Sequence, residues 1–409
     1  MEKTEFFETA VQQGFYGIDK GGLTGKKDNV RKYWEDISIK TAIRHPILNL
    51  LKHKEKLRIV DLGCGSGEGY ELLTHIPPAN KTTVQRDFVL TDANIQSYLG
   101  IDISPSMVKQ GRDNFGGKDN IQFIEGNLAA DHGFLNMGQI DVYFSSYSSP
   151  SHLTYSELKN LIEHIFETGS DEFVLALDLF GKFSPEWPSY WDRKDVEMHS
   201  YNMSWLYPTE SPEKTNAENY FVRYWSAAEV RDLIMEIALK NNRQATVKCI
   251  DRSILVGRHM ATGFYNQHPQ NLRLEVNKFF DRDYRGAVEH LHADISFLDF
   301  FKESHPLEYQ RISYYNKLWN TTIDFLDALM NNKRILLAKI LERAPDELKE
   351  ELQMLQWLEG NSSRFPVVDF WASIMGPQVA CVLRNLEFGL PEGLGCGHGL
   401  FCVIEVNKK

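Results

Sequence analysis

The sequence predicts an α/β protein: a mostly parallel sheet covered by helices on both faces, with a mainly helical lobe inserted before the last strand. Three observations carry this expectation. Short apolar runs alternate with helical segments from residue 57 to residue 178, the pattern of strands buried on both faces. A glycine-rich turn, Gly63-Cys64-Gly65-Ser66-Gly67, stands directly behind the first run. A final strand signal, Gly399 to Val406, returns only after a long helix-forming stretch.

The elements follow in order. Leu57-Arg58-Ile59-Val60-Asp61-Leu62 is the first strand, and the turn behind it lets the backbone bend tightly and come close to a ligand. The helix after the turn ends at Pro77-Pro78, and residues 81–97 read as an insertion. The second strand is 98–103. Ser104 then caps a helix from Pro105 to Asn114, since serine accepts from free amides and proline at the first position needs no partner. Strands at 121–125 and 140–144 follow, then a helix from Tyr155 to Phe166 with Leu158, Leu161, Ile162 and Ile165 on one face. Glu172 to Asp178 is the fifth strand, Ala227 to Lys240 a helix, and Ala245 to Ile250 a sixth strand. Residues 399–406 complete the sheet; a rival parse closes its edge hairpin with Ser253 to Gly257 instead. Ile312 to Met330 and Pro345 to Leu358 are helices of the inserted lobe. The expected division is an N-terminal helical cap at 1–56, a core at 57–259, a helical lid or substrate lobe at 260–390 and a closing strand at 391–409.

The glycine turn sits behind Asp61-Leu62, and a second apolar run ends in an acid at Gly100-Ile101-Asp102. An acid there can accept hydrogen bonds from two ribose hydroxyls. On these residues the chain resembles class I S-adenosylmethionine-dependent methyltransferases, whose first motif, D-x-G-x-G-x-G, is matched by Asp61, Gly63, Gly65 and Gly67. The resemblance covers about residues 57–180. It implies a seven-stranded Rossmann-like methyltransferase sheet with strand 7 antiparallel between strands 5 and 6. It also implies S-adenosyl-L-methionine as cofactor, with Asp102 on the ribose. Where the family carries an aspartate for the adenine amino group this chain has Asn127, whose oxygen can accept the same bond. A nicotinamide dehydrogenase fingerprint spaces its third glycine differently, and this turn holds no cation for a pyrophosphate.

In a doubly wound sheet ligands collect beyond the carboxyl ends of the strands. The loop after strand 4, Ser145-Ser146-Tyr147-Ser148-Ser149-Pro150-Ser151-His152, is polar enough to position an acceptor or orient a sulfonium, Ser145 among its cofactor contacts. After strand 5 come Trp187, Tyr190, Trp191, Tyr201, Trp205, Tyr207, Tyr220, Tyr224 and Trp225, without helical or strand period. Such a segment can form an aromatic acceptor pocket. His152 is the candidate general base, Asp178 the second; His259 and His398 are weaker candidates. Tyr33-Trp34 precedes the first strand where the resembling enzymes cover the cofactor, and Phe15-Tyr16-Gly17 is an aromatic turn.

Composition sets outer bounds. The 409 residues carry a formal net charge of -11, which disfavours a broad nucleic-acid surface. No apolar run is long enough to cross a bilayer, and Met1-Glu2-Lys3-Thr4-Glu5 lacks the basic start of a signal peptide. Five cysteines without CxxC spacing point to reduced thiols, a cytoplasmic setting and no metal site. The expected function is methyl transfer to oxygen or nitrogen of a small, possibly aromatic, molecule. A peptide, protein side chain or RNA acceptor is the alternative, and a non-catalytic cofactor-binding interaction protein a further one.

Overall fold

A computed structural model describes residues 28–78, 88–130, 133, 138–193, 195–206, 218–281, 283 and 288–408. Phe15-Tyr16-Gly17, the N-terminal start, Tyr207 and residues 81–87 of the expected insertion lie outside the described residues.

Strands β1 (Leu57–Leu62), β2 (Ile95–Asp102), β3 (Ile121–Glu125), β4 (Val142–Phe144) and β5 (Glu172–Gly181) are parallel neighbours in the order β3-β2-β1-β4-β5. A small pair, β6 (His199–Asn202) and β7 (Asn219–Val222), forms a separate two-stranded sheet. The two-residue β8 (Tyr224–Trp225) extends β5. β9 (Arg243–Arg252) and β10 (Gly399–Lys408) complete the main sheet as β5-β10-β9, with β10 antiparallel to both neighbours. The last strand therefore wedges between β5 and β9, and the rival closure through Ser253 to Gly257 does not form a strand.

Local chemistry sets the element ends. Ser104 accepts from the Met107 amide at the start of Pro105–Phe115. Thr154 with Glu157, and Ser226 with Glu229, form reciprocal capping boxes at the starts of Tyr155–Thr168 and Ala227–Lys240. β2 begins three residues before its apolar run, because its first residues alternate in burial and carry Gln96 and Ser97. Residues 140 and 141 precede β4: the Asp141 carboxylate accepts from the Arg58 amide (2.8 Å) and the Lys54 ammonium (2.5 Å), tying down the amino edge of the sheet.

The helices Leu272–Lys278, Pro306–Met330, Arg334–Arg343, Asp346–Gly360 and Gly376–Phe388 share one apolar core with Val30 and Trp34 of the N-terminal helix and with Ile254, Leu255 and Val256 just past β9. Glu387 locks this junction. Its carboxylate accepts from Trp34 Nε1 (2.6 Å) and from the amides of Ser253 (3.1 Å) and Ile254 (2.8 Å). Trp34 is thus committed to the lobe. The lobe abuts the ends of β5 and β9, and none of its described residues from 260 to 390 lines the cavity described next.

Candidate active site

The turn after β1 has the backbone that only glycine adopts freely. Gly63, Gly65 and Gly67 lie at φ of +78°, +53° and +96°. A side chain on Gly63 would meet Ser149 Cβ at 2.4 Å, so the loop after β4 presses directly onto the turn. One on Gly65 would meet nothing within 4 Å, because that residue faces open space.

That space is a cavity of about 580 Å³, within the usual range of small-ligand sites. One half is built by Gly63, Gly65, Asp102, Ile103, Met107 and Leu128. Asp102 accepts from the Gly65 amide (2.9 Å) and the Ser104 amide (2.9 Å). Burial raises its pKa, and those amides oppose the shift. The carboxylate keeps acceptor capacity for a further donor.

The opposite half is walled by Phe180, Tyr201, Met203, Trp205, Tyr220 and Phe221. The pair β6 and β7 carries Tyr201, Tyr220 and Phe221, and the rings of Tyr201 and Tyr220 stack at 5.3 Å. Only part of the expected aromatic segment is at the cavity. Trp187 and Tyr224 are packed behind it, Trp191 belongs to the lobe core, and Trp225 lies under the helix Ala227–Lys240.

Between the halves stand Arg31, Glu68, Tyr147 and Ser149. Tyr147 and Ser148 both have positive φ, at 56° and 63°, a costly backbone for residues with side chains. Two carboxylates hold Tyr147 there: its amide donates to Asp178 Oδ2 (2.7 Å) and its hydroxyl to Asp36. The Arg31 guanidinium lies 3.6 Å from the Tyr147 ring centroid and pairs with Glu68 (2.7 Å).

Asp178 is therefore a clamp and not a base at the cavity. It is fully buried, stands outside the lining, and its Oδ2 also takes Arg252 Nη2 at 2.7 Å. Arg252 reaches it across β10, where Gly399 leaves the passage: a side chain there would lie 2.5 Å from the guanidinium. Ser145 is also outside the lining, its hydroxyl donating to Leu62 O (2.7 Å); Ser146, Tyr147 and Ser149 take the cavity positions of that loop. Asn127 turns its oxygen to the Ala129 amide (3.0 Å), and the flanking Gly126 and Leu128 line the cavity instead. Asp61 lies beneath the turn, accepting from the Tyr98 hydroxyl (2.5 Å), and burial pushes its pKa up to about 7.

His152 does line the cavity, its ring 4.7 Å from that of Tyr220. Burial pushes its pKa down to about 4, so it stands there as neutral imidazole and weak base. His259 and His398 are buried behind Tyr201 and Phe180, around Glu186: His398 Nδ1 bonds its carboxylate at 2.7 Å and the His259 amide donates to it. Among the described residues no group of three His, Cys, Asp or Glu could hold a metal ion.

Sequence reasoning missed Arg31, Glu68 and Arg258 as lining residues. Arg31 pairs with Glu68, and Arg258 joins a buried ionic network on Glu35; no local motif announces either partner.

No family model matches this chain, and no curated protein matches it. Solved structures do. A DhpI–SAH complex is 11% identical, covering 59% of this chain and 87% of that one, with a TM-score of 0.34. The plantazolicin methyltransferase BamL, in complex with a triazolic desmethylPZN analog and SAH, is 14% identical over 60% and 77%, also at 0.34. An S-adenosylmethionine-dependent methyltransferase from Clostridium acetobutylicum ATCC 824 is 11% identical over 54% and 83%, at 0.34. Such scores leave the assignment to the sheet itself. Its order β3-β2-β1-β4-β5-β10-β9, with β10 alone reversed, is the seven-stranded Rossmann-like sheet, last strand antiparallel between the fifth and sixth, that the resemblance to class I S-adenosylmethionine-dependent methyltransferases leads one to expect.

Proposed function

We propose that the chain is a methyltransferase that uses S-adenosyl-L-methionine and acts on a small molecule at oxygen or nitrogen. The single observation that carries this reading is the continuity of the cavity. A glycine turn with an acid at one end and an aromatic wall at the other meet at one strained, clamped loop.

The residues fit the cofactor. Asp102 has lone pairs for ribose hydroxyls, and Ile103 and Leu128 offer apolar faces for an adenine. Glu68 and Arg31 present opposite charges, matching the ammonium and carboxylate of the methionyl end. The turn supplies backbone approach without a cation, as a ligand lacking phosphate requires. When bound, the cofactor supplies an electrophilic methyl group on a sulfonium.

The chain's own part is alignment and exclusion of water. Asp178 and Asp36 fix Tyr147, which with Ser149 forms the rim where the two halves of the cavity join. His152 shapes the wall with Tyr220. The aromatic and methionine side chains favour an acceptor with an apolar body. A net charge of -11 argues against a nucleic-acid acceptor. None of the described helices is long and apolar enough to cross a membrane, and the five unbridged cysteines fit a cytoplasmic setting, which belongs to the same proposal.

Calorimetry with S-adenosylhomocysteine tests the reading. Binding abolished or weakened by Asp102→Ala is expected; no binding by the intact protein would overturn it.

A further inference from the structure

The acceptor wall contains hydrogen-bond donors that no described protein group satisfies. Arg258 lines the cavity with its guanidinium 4.5 Å from the Trp205 ring centroid and 5.9 Å from that of Tyr147. Three arginines converge on Glu35: Arg273 at 2.9 Å, Arg252 at 3.1 Å and Arg258 at 3.4 Å. The first two each have a carboxylate of their own besides, Asp28 for Arg273 (2.6 Å) and Asp178 for Arg252 (2.7 Å). Neither lines the cavity.

Arg258 has no such second acid. Among the described residues its one ion pair is the long contact to Glu35, and its Nε is buried without a partner. Two neighbours on the same wall repeat the pattern. Trp205 Nε1 and the Tyr201 hydroxyl are also buried and unpartnered. Leaving a buried donor unpaired is costly, so three together call for an acceptor-rich group from outside the described residues. A cation or a bare amine would bring more donors to a wall already rich in them. A carboxylate brings only acceptors, and a guanidinium fork matches its two oxygens.

On the methyltransferase reading given above, we infer that the acceptor is an apolar carboxylic acid, held as its carboxylate by Arg258 with Trp205 and Tyr201, and that the product is its methyl ester. Arg258 is near Tyr147, at the junction with the cofactor half, so the anion sits beside the glycine turn and not at the far end of the aromatic wall. The apolar body then lies against Phe180, Met203, Tyr220 and Phe221. A carboxylate oxygen forms the new O–C bond as the C–S bond of the sulfonium breaks. The bonding pair leaves on sulfur, giving a neutral ester and a thioether. No proton moves, so the step needs no base and asks of the lining only that it hold the carboxylate and exclude water.

The test uses the full chain with decanoate and trans-cinnamate as probes, decan-1-ol and cinnamyl alcohol as neutral counterparts, and phenylphosphonate as the phosphoryl alternative. Binding is read by calorimetry with S-adenosylhomocysteine present, and transfer by methyl-labelled cofactor followed by alkali, which releases methanol from an ester. The acids should bind and yield alkali-labile methyl. Arg258→Gln should weaken acid binding roughly 10- to 100-fold, with S-adenosylhomocysteine affinity and the melting temperature close to wild type. Trp205→Phe keeps the ring and removes the indole donor, so it should weaken acid binding several-fold and guards against misfolding of the first variant. The inference is overturned by label that is stable to alkali, by equal acid binding in wild type and both variants, or by preference for phenylphosphonate. If S-adenosylhomocysteine itself fails to bind, the methyltransferase reading falls, and this inference with it.

Discussion

Alanine at Gly65 and at Gly63 should fail in different ways, and the difference follows from what surrounds each residue. Both have positive φ, so alanine at either pays a left-handed backbone cost of about 1–2 kcal/mol. At Gly65 nothing else opposes the new methyl, which enters open cavity. Gly65→Ala should therefore fold with only that modest loss of stability, while its methyl occupies ligand space. At Gly63 the methyl meets Ser149 Cβ at 2.4 Å and Oγ at 2.7 Å, so the loop after β4 must shift as well. Overpacking of this kind adds about 1–3 kcal/mol. Thermal melts and S-adenosylhomocysteine titrations on both variants give the two quantities. Gly65→Ala should melt nearer the wild type than Gly63→Ala yet bind at least about tenfold more weakly than wild type, a loss of ~1.4 kcal/mol. Wild-type affinity in folded Gly65→Ala would refute the placing of the cofactor on this turn.

Other expectations follow from the same geometry. Asp102→Ala should lose roughly 1–3 kcal/mol of cofactor binding by removing a charged acceptor, read by calorimetry on the folded variant. Asp178→Asn should slow turnover with little change in cofactor affinity, because it loosens Tyr147 without touching the cavity; a large change in affinity and none in rate would contradict the clamp. His152→Asn should change the single-turnover rate by less than about tenfold, since a carboxylate has no proton to lose, whereas a fall of ~10²–10⁴ would mark an acceptor that needs a base. Acid should destabilise the fold through the Glu186 cluster. Burial pushes the His259 pKa down to about 3, so below its unfolded value of about 6.5 the unfolded state binds more protons and stability falls with pH. Burial favours protonated Glu186, yet His398 and His259 hold its pKa below the ordinary value, which also removes stability on acidification. Denaturant midpoints should decline from pH 7 to pH 3, through His259 below about pH 6.5 and through Glu186 only below about pH 4.5, the second loss being absent in Glu186→Gln.

The sheet was legible because its strands are buried on both faces, so each is a run of apolar residues with capped helices between. The antiparallel return of residues 399–406 was legible only through the resemblance, since no local pattern shows which strands it joins. What escaped was either short or long-range. Strands β6 and β7 have four residues each and polar as well as aromatic side chains, too little for a period to emerge. Local spacing singled out Asp102 and the glycine turn, and of these Asp102, Gly63 and Gly65 line the cavity. Arg31 and Arg258 were not singled out, because they reach the cavity through partners far along the chain, at Glu68 and Glu35. Asp178, Ser145 and Asn127 stood at suitable strand ends, but each side chain turned to a nearby backbone amide or carbonyl instead of the cavity. The GHG run at 397–399 was a signal left unread: a glycine at 399 is what lets Arg252 cross β10 to Asp178.

The most direct test of the central claim is a crystal structure of the chain with S-adenosylhomocysteine. The ligand should lie in the cavity with its ribose hydroxyls on Asp102, its adenine between Ile103 and Leu128, and its sulfur turned toward Tyr147 and Ser149. A ligand bound elsewhere, or an adenosyl group with no contact to Asp102 or the glycine turn, would contradict the account.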